Sequence, residues 1–155
     1  MHICSFSAKT TAPAQAIWQL WINPKHWSRW DSTIQSAELS GPFKQGATGT
    51  ITHQDGTSTR FSVISCDMLQ NLVLSMPLGM GVELLIKREW KQETGQVLFR
   101  HEVSLMGPAL GKLMHAGRKE ALKKSTLETM EKMLQLLEGE AGSQENPSGT
   151  QKPAL

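Results

Sequence analysis

Alternating apolar and polar residues divide most of the chain into short segments that predict β-strands. The clearest runs are Val82–Trp90 and Gln96–Leu105, where apolar side chains recur at every second position. A tight turn at Glu93 to Gly95 separates these runs, and Asp55-Gly56 marks a hairpin earlier in the chain. Further strands are predicted at His2–Ala8, Thr33–Leu39, Thr48–His53, Thr59–Cys66 and Asn71–Met76. The pattern therefore predicts six or seven antiparallel strands joined by tight turns.

Two short helices are predicted directly after the first strand. Thr11 and Pro13 are typical of a helix start, and the apolar periodicity that follows runs to about Ile22. Asn23-Pro24 then restarts the chain as a second short helix that is expected to end near Trp27.

An apolar stripe at helical spacing follows the last strand. It consists of Leu110, Leu113, Met114, Gly117, Ala121, Leu127, Met130, Met133, Leu134 and Leu137. The stripe predicts one long helix from about Pro108 to Glu138, ended by Gly139, that crosses the whole molecule. Gly107, Gly111 and Gly117 near its start weaken a helix, so they indicate either close packing on the sheet or a mobile lid.

The length of 155 residues predicts one domain, over residues 1–139, and the tail over residues 140–155 is rich in Gly, Ser, Pro and Gln and is expected to be disordered. The net charge of +2 does not indicate any class of binding partner. The basic run at 118–124 is interleaved with Glu120, so no nucleic-acid partner is predicted. No run is apolar enough to span a membrane. With two cysteines and no signal-peptide pattern, we expect a soluble cytoplasmic protein.

Four of the five tryptophans lie close together, and they are Trp18, Trp21, Trp27 and Trp30. Because indole rings dominate the energetics of any surface they join, this density predicts either a packed corner of the core or one wall of a cavity. Asp31 follows Trp30 and is expected to cap backbone amides where helix gives way to strand.

The segments that join these elements resemble a known family. IWQLWINPKHWSRWD, SGPFKQGATGTI and FRHEVSLMGPALGKLM, in this order, are similar to the START-like (SRPBCC) superfamily in its polyketide cyclase/dehydrase branch. The resemblance covers about residues 3–138. It implies an α+β helix-grip fold, in which a curved antiparallel sheet wraps around the long C-terminal helix and leaves a cavity between them. The superfamily includes aromatase/cyclases, lipid and hormone carriers, hydrolase-like members and co-chaperones, so the fold alone does not select an activity.

Alternation along the last two strands places Arg88 and His101 on the face that the resemblance turns toward the cavity. A buried arginine needs an acid, a carbonyl or a ligand anion. In a ligand site, Arg88 would hold a carboxylate or a polarised carbonyl, and His101 would act as a general acid or base. Alternatively, Arg88 pairs with a neighbouring acid or reaches the rim, and His101 is a hydrogen-bonded core histidine. Both interpretations stay open at the level of the sequence.

The predicted ligand-binding set combines these two residues with apolar side chains expected on the cavity wall. The set is Trp30, Phe61, Met76, Leu84, Ile86, Arg88, Trp90, Phe99, His101 and Met114. The five histidines and two cysteines are scattered without metal-site spacing, and nucleotide-binding motifs are missing from the sequence, so neither a metal nor a cofactor is predicted.

The sequence favours binding of a small hydrophobic molecule between the sheet and the C-terminal helix, because a mostly apolar wall carries only one or two inward polar groups. An enzyme of the polyketide cyclase/dehydratase type that uses Arg88 and His101 is the alternative. A protein-interaction module is a weaker one. We expect a monomer or a weak homodimer.

Overall fold

Residues 1–67 and 70–145, which the computed structural model describes, contain seven strands. They are β1 (His2–Thr10), β2 (Ile34–Leu39), β3 (Thr48–His53), β4 (Ser58–Asp67), β5 (Asn71–Gly79), β6 (Val82–Glu93) and β7 (Gln96–Met106). All neighbouring pairs are antiparallel, and the sheet order is β1-β7-β6-β5-β4-β3-β2. Every predicted strand is present. The predicted α+β helix-grip fold is confirmed.

Two short helices connect β1 to β2, as predicted. These are α1 (Ala14–Ile22) and α2 (Trp27–Trp30), separated by a 3-10 turn at Pro24–His26. The Asn23 side chain begins this turn by accepting a hydrogen bond from the Lys25 amide at 3.2 Å. The predicted second helix thus consists of this turn followed by α2, and it ends at Trp30 rather than near Trp27.

The predicted single C-terminal helix begins where expected, but it is interrupted near its start and ends later than predicted. The segment consists of α3 (Ala109–Met114), a 3-10 turn at Ala116–Arg118 and α4 (Lys119–Glu145). The chain bends at His115, whose amide donates to the carbonyls of Gly111 and Lys112 at 3.2 Å each. Gly139 lies inside α4, because the continuing helical hydrogen bonds outweigh the propensity cost of about 1 kcal/mol for one glycine.

The division of the chain at residue 139 remains a prediction, since residues 146–155 of the expected tail lie outside the described residues. In the part of the chain that the structure describes, no helix combines the length and the apolar character needed to cross a membrane.

The apolar stripe is buried only in its second half. Met130, Met133 and Leu137 of α4 pack into the main core. Six predicted members are instead exposed: Leu110, Leu113, Met114, Gly117, Ala121 and Leu127. The apolar side chains of α3 are exposed because this helix packs on the sheet through a glycine. A β-carbon at Gly111 would lie 2.7 Å from Val82 Cγ2 and 2.8 Å from the Met80 carbonyl oxygen. Close packing, rather than freedom to move, explains this glycine.

The tryptophans form the packed corner of the core that the sequence allowed. The indole nitrogen of Trp27 donates to the Trp21 carbonyl at 3.0 Å, and that of Trp30 donates to the Leu20 carbonyl at 3.2 Å. The Trp27 ring also packs on Phe61, with ring centroids 4.9 Å apart. These contacts fix α2 across one end of the sheet. They thereby position Trp30 and Asp31 at the end of α2.

Candidate functional site

A cavity of about 220 Å³ lies between the sheet, α2 and α4. The inner faces of β3, β5, β6 and β7 supply most of its apolar wall: Ile51, Leu74, Met76, Leu84, Ile86 and Val103. The indole rings of Trp27 and Trp30 close one end, together with Ile34 at the start of β2. Five polar side chains of the sheet and of the loop after α2 also reach it: Asp31, Thr33, His53, Arg88 and His101.

Arg88 is the central polar group of this cavity. Its side chain is on the inner face of β6 and only 3% exposed. The guanidinium carbon lies 4.7 Å from the centroid of the Trp30 ring, a cation–π contact. Nε and Nη1 are buried and make no hydrogen bond. Among residues 1–67 and 70–139, no carboxylate approaches the guanidinium within 4.0 Å. The alternative in which Arg88 pairs with a local acid is therefore wrong.

Burial lowers the pKa of the Arg88 guanidinium to about 9, and the negative charge of Asp31 opposes part of that shift. Arg88 thus stays cationic at neutral pH. The Asp31 oxygen Oδ1 is already engaged, since it accepts hydrogen bonds from the Thr33 amide at 2.9 Å and the Thr33 hydroxyl at 2.6 Å. The predicted capping role of Asp31 is confirmed.

His101 lies directly across from Arg88 in the β6–β7 ladder. Its side chain is 4% exposed, and its Nδ1 is buried without a hydrogen-bond partner. Burial lowers the pKa of the imidazole well below its ordinary value of 6.5, and the charge of Arg88 lowers it further. His101 is therefore a neutral imidazole at pH 7. The alternative of a hydrogen-bonded core histidine fails at Nδ1.

The helix contributes polar groups that the sequence analysis missed. Ser125, Thr126 and Thr129 of α4 face the cavity beside Leu122. The Thr126 hydroxyl is already used, because it donates to the Leu122 carbonyl at 2.7 Å. The available signal was the interruption of the apolar stripe by three hydroxyl residues before Met130. His53 was also missed, although it shares the inner face of β3 with Ile51. It contacts the Thr59 hydroxyl at 2.8 Å.

The structure brings together six of the ten predicted binding residues, namely Trp30, Met76, Leu84, Ile86, Arg88 and His101. Four others lie elsewhere. Phe61 and Phe99 are fully buried in the main core, and Trp90 packs against that core beyond the end of the cavity. Met114 is exposed on α3, which touches the sheet through Gly111 instead. Strand alternation predicted the correct face but not the length of strand that the cavity occupies.

A larger groove of about 710 Å³ runs beside the edge strand β2 and the turn at Pro24–His26. Its two charged lining residues, Lys25 and Glu38, are both exposed. Water solvates such groups well, so the groove gives no charge that a ligand must satisfy. The smaller cavity is the stronger candidate site because its charged group is buried.

No family model matches the sequence, and a search of curated proteins finds no match. Solved structures do match. DynU16, a protein in the dynemicin biosynthetic locus, aligns with a TM-score of 0.66 at 19% identity over 86% of this chain. CalU16 from Micromonospora echinospora aligns with 0.59 at 16% identity over 87%. The di-domain ARO/CYC StfQ from the steffimycin biosynthetic pathway aligns with 0.69 at 11% identity over 92%.

The chain has the START-like, polyketide cyclase-like fold. The fold that the sequence resemblance implied is thus confirmed. The chain spans 46% of DynU16, 65% of CalU16 and 53% of StfQ, which is less than two thirds of each. At these identities the likeness establishes the fold and leaves the activity to be argued from the site.

Proposed function

We propose that the protein binds a small hydrophobic molecule in the cavity between the sheet and α4, with a negatively charged oxygen of the ligand against Arg88. The observation that carries this proposal is the buried guanidinium, which has two unpartnered nitrogens and faces a mostly apolar space. A buried cation without a counterion is costly to the fold. A ligand anion would relieve that cost through charge-assisted hydrogen bonds.

The volume limits the size of the ligand. Common ligand pockets occupy about 300–1,000 Å³, and an apolar cavity of roughly 150 Å³ accommodates one benzene molecule. The 220 Å³ found here suits a single substituted ring or a short branched chain with one acidic group. Trp30 supports the same assignment, since its ring covers one face of the planar guanidinium and leaves the in-plane N–H groups of Nε and Nη1 available to donate to a ligand.

The test is native mass spectrometry of the protein purified from its own host. A co-purified small acid is expected with the wild-type chain. It should be missing from Arg88→Met, which removes the charge while keeping an unbranched side chain. An Arg100→Met variant controls for loss of a cation, because Arg100 is exposed and engages Glu89 and Glu102 outside the cavity. Retention of the same molecule by Arg88→Met would contradict the proposal.

A second candidate function is an enzyme of the cyclase/dehydratase type. It is favoured by one observation: the neutral His101 imidazole stands next to a cation that could stabilise a developing enolate oxygen. His101 would then take a proton from the carbon beside a carbonyl held by Arg88. StfQ, which shares the fold, is described as an ARO/CYC.

The two functions differ in a simple exchange reaction. If the protein is such an enzyme, acetophenone in D₂O should incorporate deuterium into its methyl group, and this incorporation should be lost with His101→Gln. If the protein only binds a ligand, incorporation should not exceed that in buffer alone. Proton nuclear magnetic resonance of the ketone measures the rate directly.

A further inference from the structure

A cluster of exposed apolar side chains occupies the end of the molecule where the β5–β6 turn meets α3. We call it the apolar tip, and it consists of Met80, Met106, Leu110, Leu113 and Met114, each 57 to 71% exposed. Leu110, Leu113 and Met114 share one face of α3 by their spacing. The β-carbon of Met80 lies 3.8 Å from the position that a β-carbon on Gly111 would take, so α3 and the turn are in contact.

The backbone at Met80 does not suit the residue that occupies it. Met80 has φ of 57° and stands between Gly79 and Gly81, which also have positive φ. A non-glycine residue in this region is uncommon, and asparagine or glycine normally fills such a turn position. Folding therefore gives no reason for a long apolar side chain that points into solvent here. Strain of this kind, combined with exposure, indicates a role in binding.

The charge beside the tip is mostly positive. From Val103 to Lys119 the sequence contains no Asp or Glu, whereas Lys112, Arg118 and Lys119 all lie in or next to α3. Within residues 1–67 and 70–139, none of these three cations has a carboxylate within 4.0 Å. Glu83, which lies opposite Met106 in the β6–β7 ladder, is an acid at the edge of the tip, and its carboxylate accepts a hydrogen bond from the Ser75 hydroxyl. The surface thus combines protruding apolar side chains with a net positive charge.

We propose that the apolar tip inserts into the interface of a lipid bilayer that contains anionic lipids, with Lys112, Arg118 and Lys119 against the headgroups. Apolar side chains that enter the acyl boundary, flanked by cations that contact acidic headgroups, are what holds a protein on such a surface. A second copy of this chain fits less well, because two tips facing each other would bring six like charges together.

The position of the tip gives this contact a consequence for the cavity. Leu122, which lines the cavity, lies three positions after Lys119, where α4 begins. A membrane contact at the tip would place the cavity end of α4 near the acyl chains, so that a hydrophobic ligand could exchange with the bilayer. This exchange rests on the proposed function, whereas the membrane contact does not.

Co-sedimentation of the full chain with vesicles tests the membrane contact. Vesicles of phosphatidylcholine alone are compared with vesicles of phosphatidylcholine and phosphatidylserine. Three cations at about fivefold each predict a partition coefficient on the order of a hundredfold higher for the anionic vesicles. Lys112→Gln combined with Arg118→Gln should lose roughly 25-fold of it. The exposed Lys91→Gln variant serves as the charge control and should behave as wild type.

Met80→Asn is the decisive apolar variant, because asparagine tolerates positive φ and the variant should fold at least as well as wild type. It should bind anionic vesicles several-fold more weakly. Leu110→Ser with Leu113→Ser should lose at least roughly tenfold. Ile64→Ser, which removes an exposed hydrophobic residue of β4 outside the tip, should change nothing.

Equal binding to both vesicle types, or undiminished binding by Met80→Asn, would overturn the membrane contact. The membrane contact would also be overturned if the wild type binds no vesicles and light scattering shows a dimer that Leu113→Ser converts to a monomer. That result would assign the tip to contact with a second copy of the chain. Small-molecule binding by Arg88 is measured separately, so failure of one proposal is distinguishable from failure of the other.

Discussion

The guanidinium carbon of Arg88 lies 4.7 Å from the centroid of the Trp30 ring, with no carboxylate of the described residues within 4.0 Å of its nitrogens. A cation–π contact of this kind contributes at most about 2 kcal/mol in a desolvated site. The desolvation cost of a buried, unpaired ion is several kcal/mol. The buried charge of Arg88 therefore costs the fold free energy while the cavity is empty. A ligand anion would offset this cost by forming an ion pair with the guanidinium.

Replacing Arg88 should accordingly stabilise the free protein or leave it unchanged. Arg88→Met removes the buried charge and keeps apolar volume, so we expect the free energy of unfolding to stay level or rise by about 1–4 kcal/mol. Urea unfolding at pH 7 measures it. The Arg100→Met control, which removes an exposed ion-paired arginine, should change stability by less than about 1 kcal/mol. A loss of about 3 kcal/mol or more in Arg88→Met would show that Arg88 supports the fold.

His101 should make stability fall as the solution becomes acidic. Its folded-state pKa is well below the unfolded value of 6.5, so between these two values the unfolded chain binds a proton that the native protein does not. The stability that neutral His101 contributes is therefore fully present above pH 6.5 and is lost as the pH falls below that value. The slope of the free energy of unfolding from this group approaches about 1.4 kcal/mol per pH unit.

Urea unfolding at pH 7, 6 and 5 checks this expectation. His101→Gln should flatten the profile, and the exposed His2→Gln should follow wild type. Because the charge of Arg88 contributes to the shift, Arg88→Met should flatten the profile partly. A wild-type slope that survives in His101→Gln would assign the acid sensitivity to other groups.

Gly139→Ala distinguishes the helix that the sequence predicted from the one observed. Inside α4, with no atom near the added methyl group, alanine should raise the free energy of unfolding by about 0.5–1 kcal/mol. At a left-handed helix terminus the same change would lower it. Thermal unfolding monitored by circular dichroism separates the two outcomes. Destabilisation would restore the predicted helix end at Gly139.

Much of the site could be predicted because strand alternation is local. The period of two along β6 and β7, joined by a tight turn, places Arg88 and His101 on one face, and the ladder sets them side by side. The limits of the cavity are not local. They depend on where α2 and α4 cross the sheet, which is why Trp90 and Phe99 lie outside the cavity although they share strands and faces with the site residues.

The start of the C-terminal helix shows the same limit. Gly107 and Gly111 were recognisable as unusual, but their reason is contact with Gly81 and Val82, about thirty residues away in sequence. The apolar stripe of α3 followed helical spacing and was still exposed, because periodicity reports a helix face without reporting what covers it.

The most direct test of the account is calorimetric titration of wild type and Arg88→Met with benzoate and with benzamide, its neutral isostere. A charge-assisted hydrogen bond contributes about 1.5–3 kcal/mol, so the wild type should prefer benzoate by at least roughly tenfold. Arg88→Met should lose that preference while remaining folded. Equal affinities for the two compounds in the wild type, or a benzoate preference that persists in Arg88→Met, would contradict a ligand-binding role for Arg88.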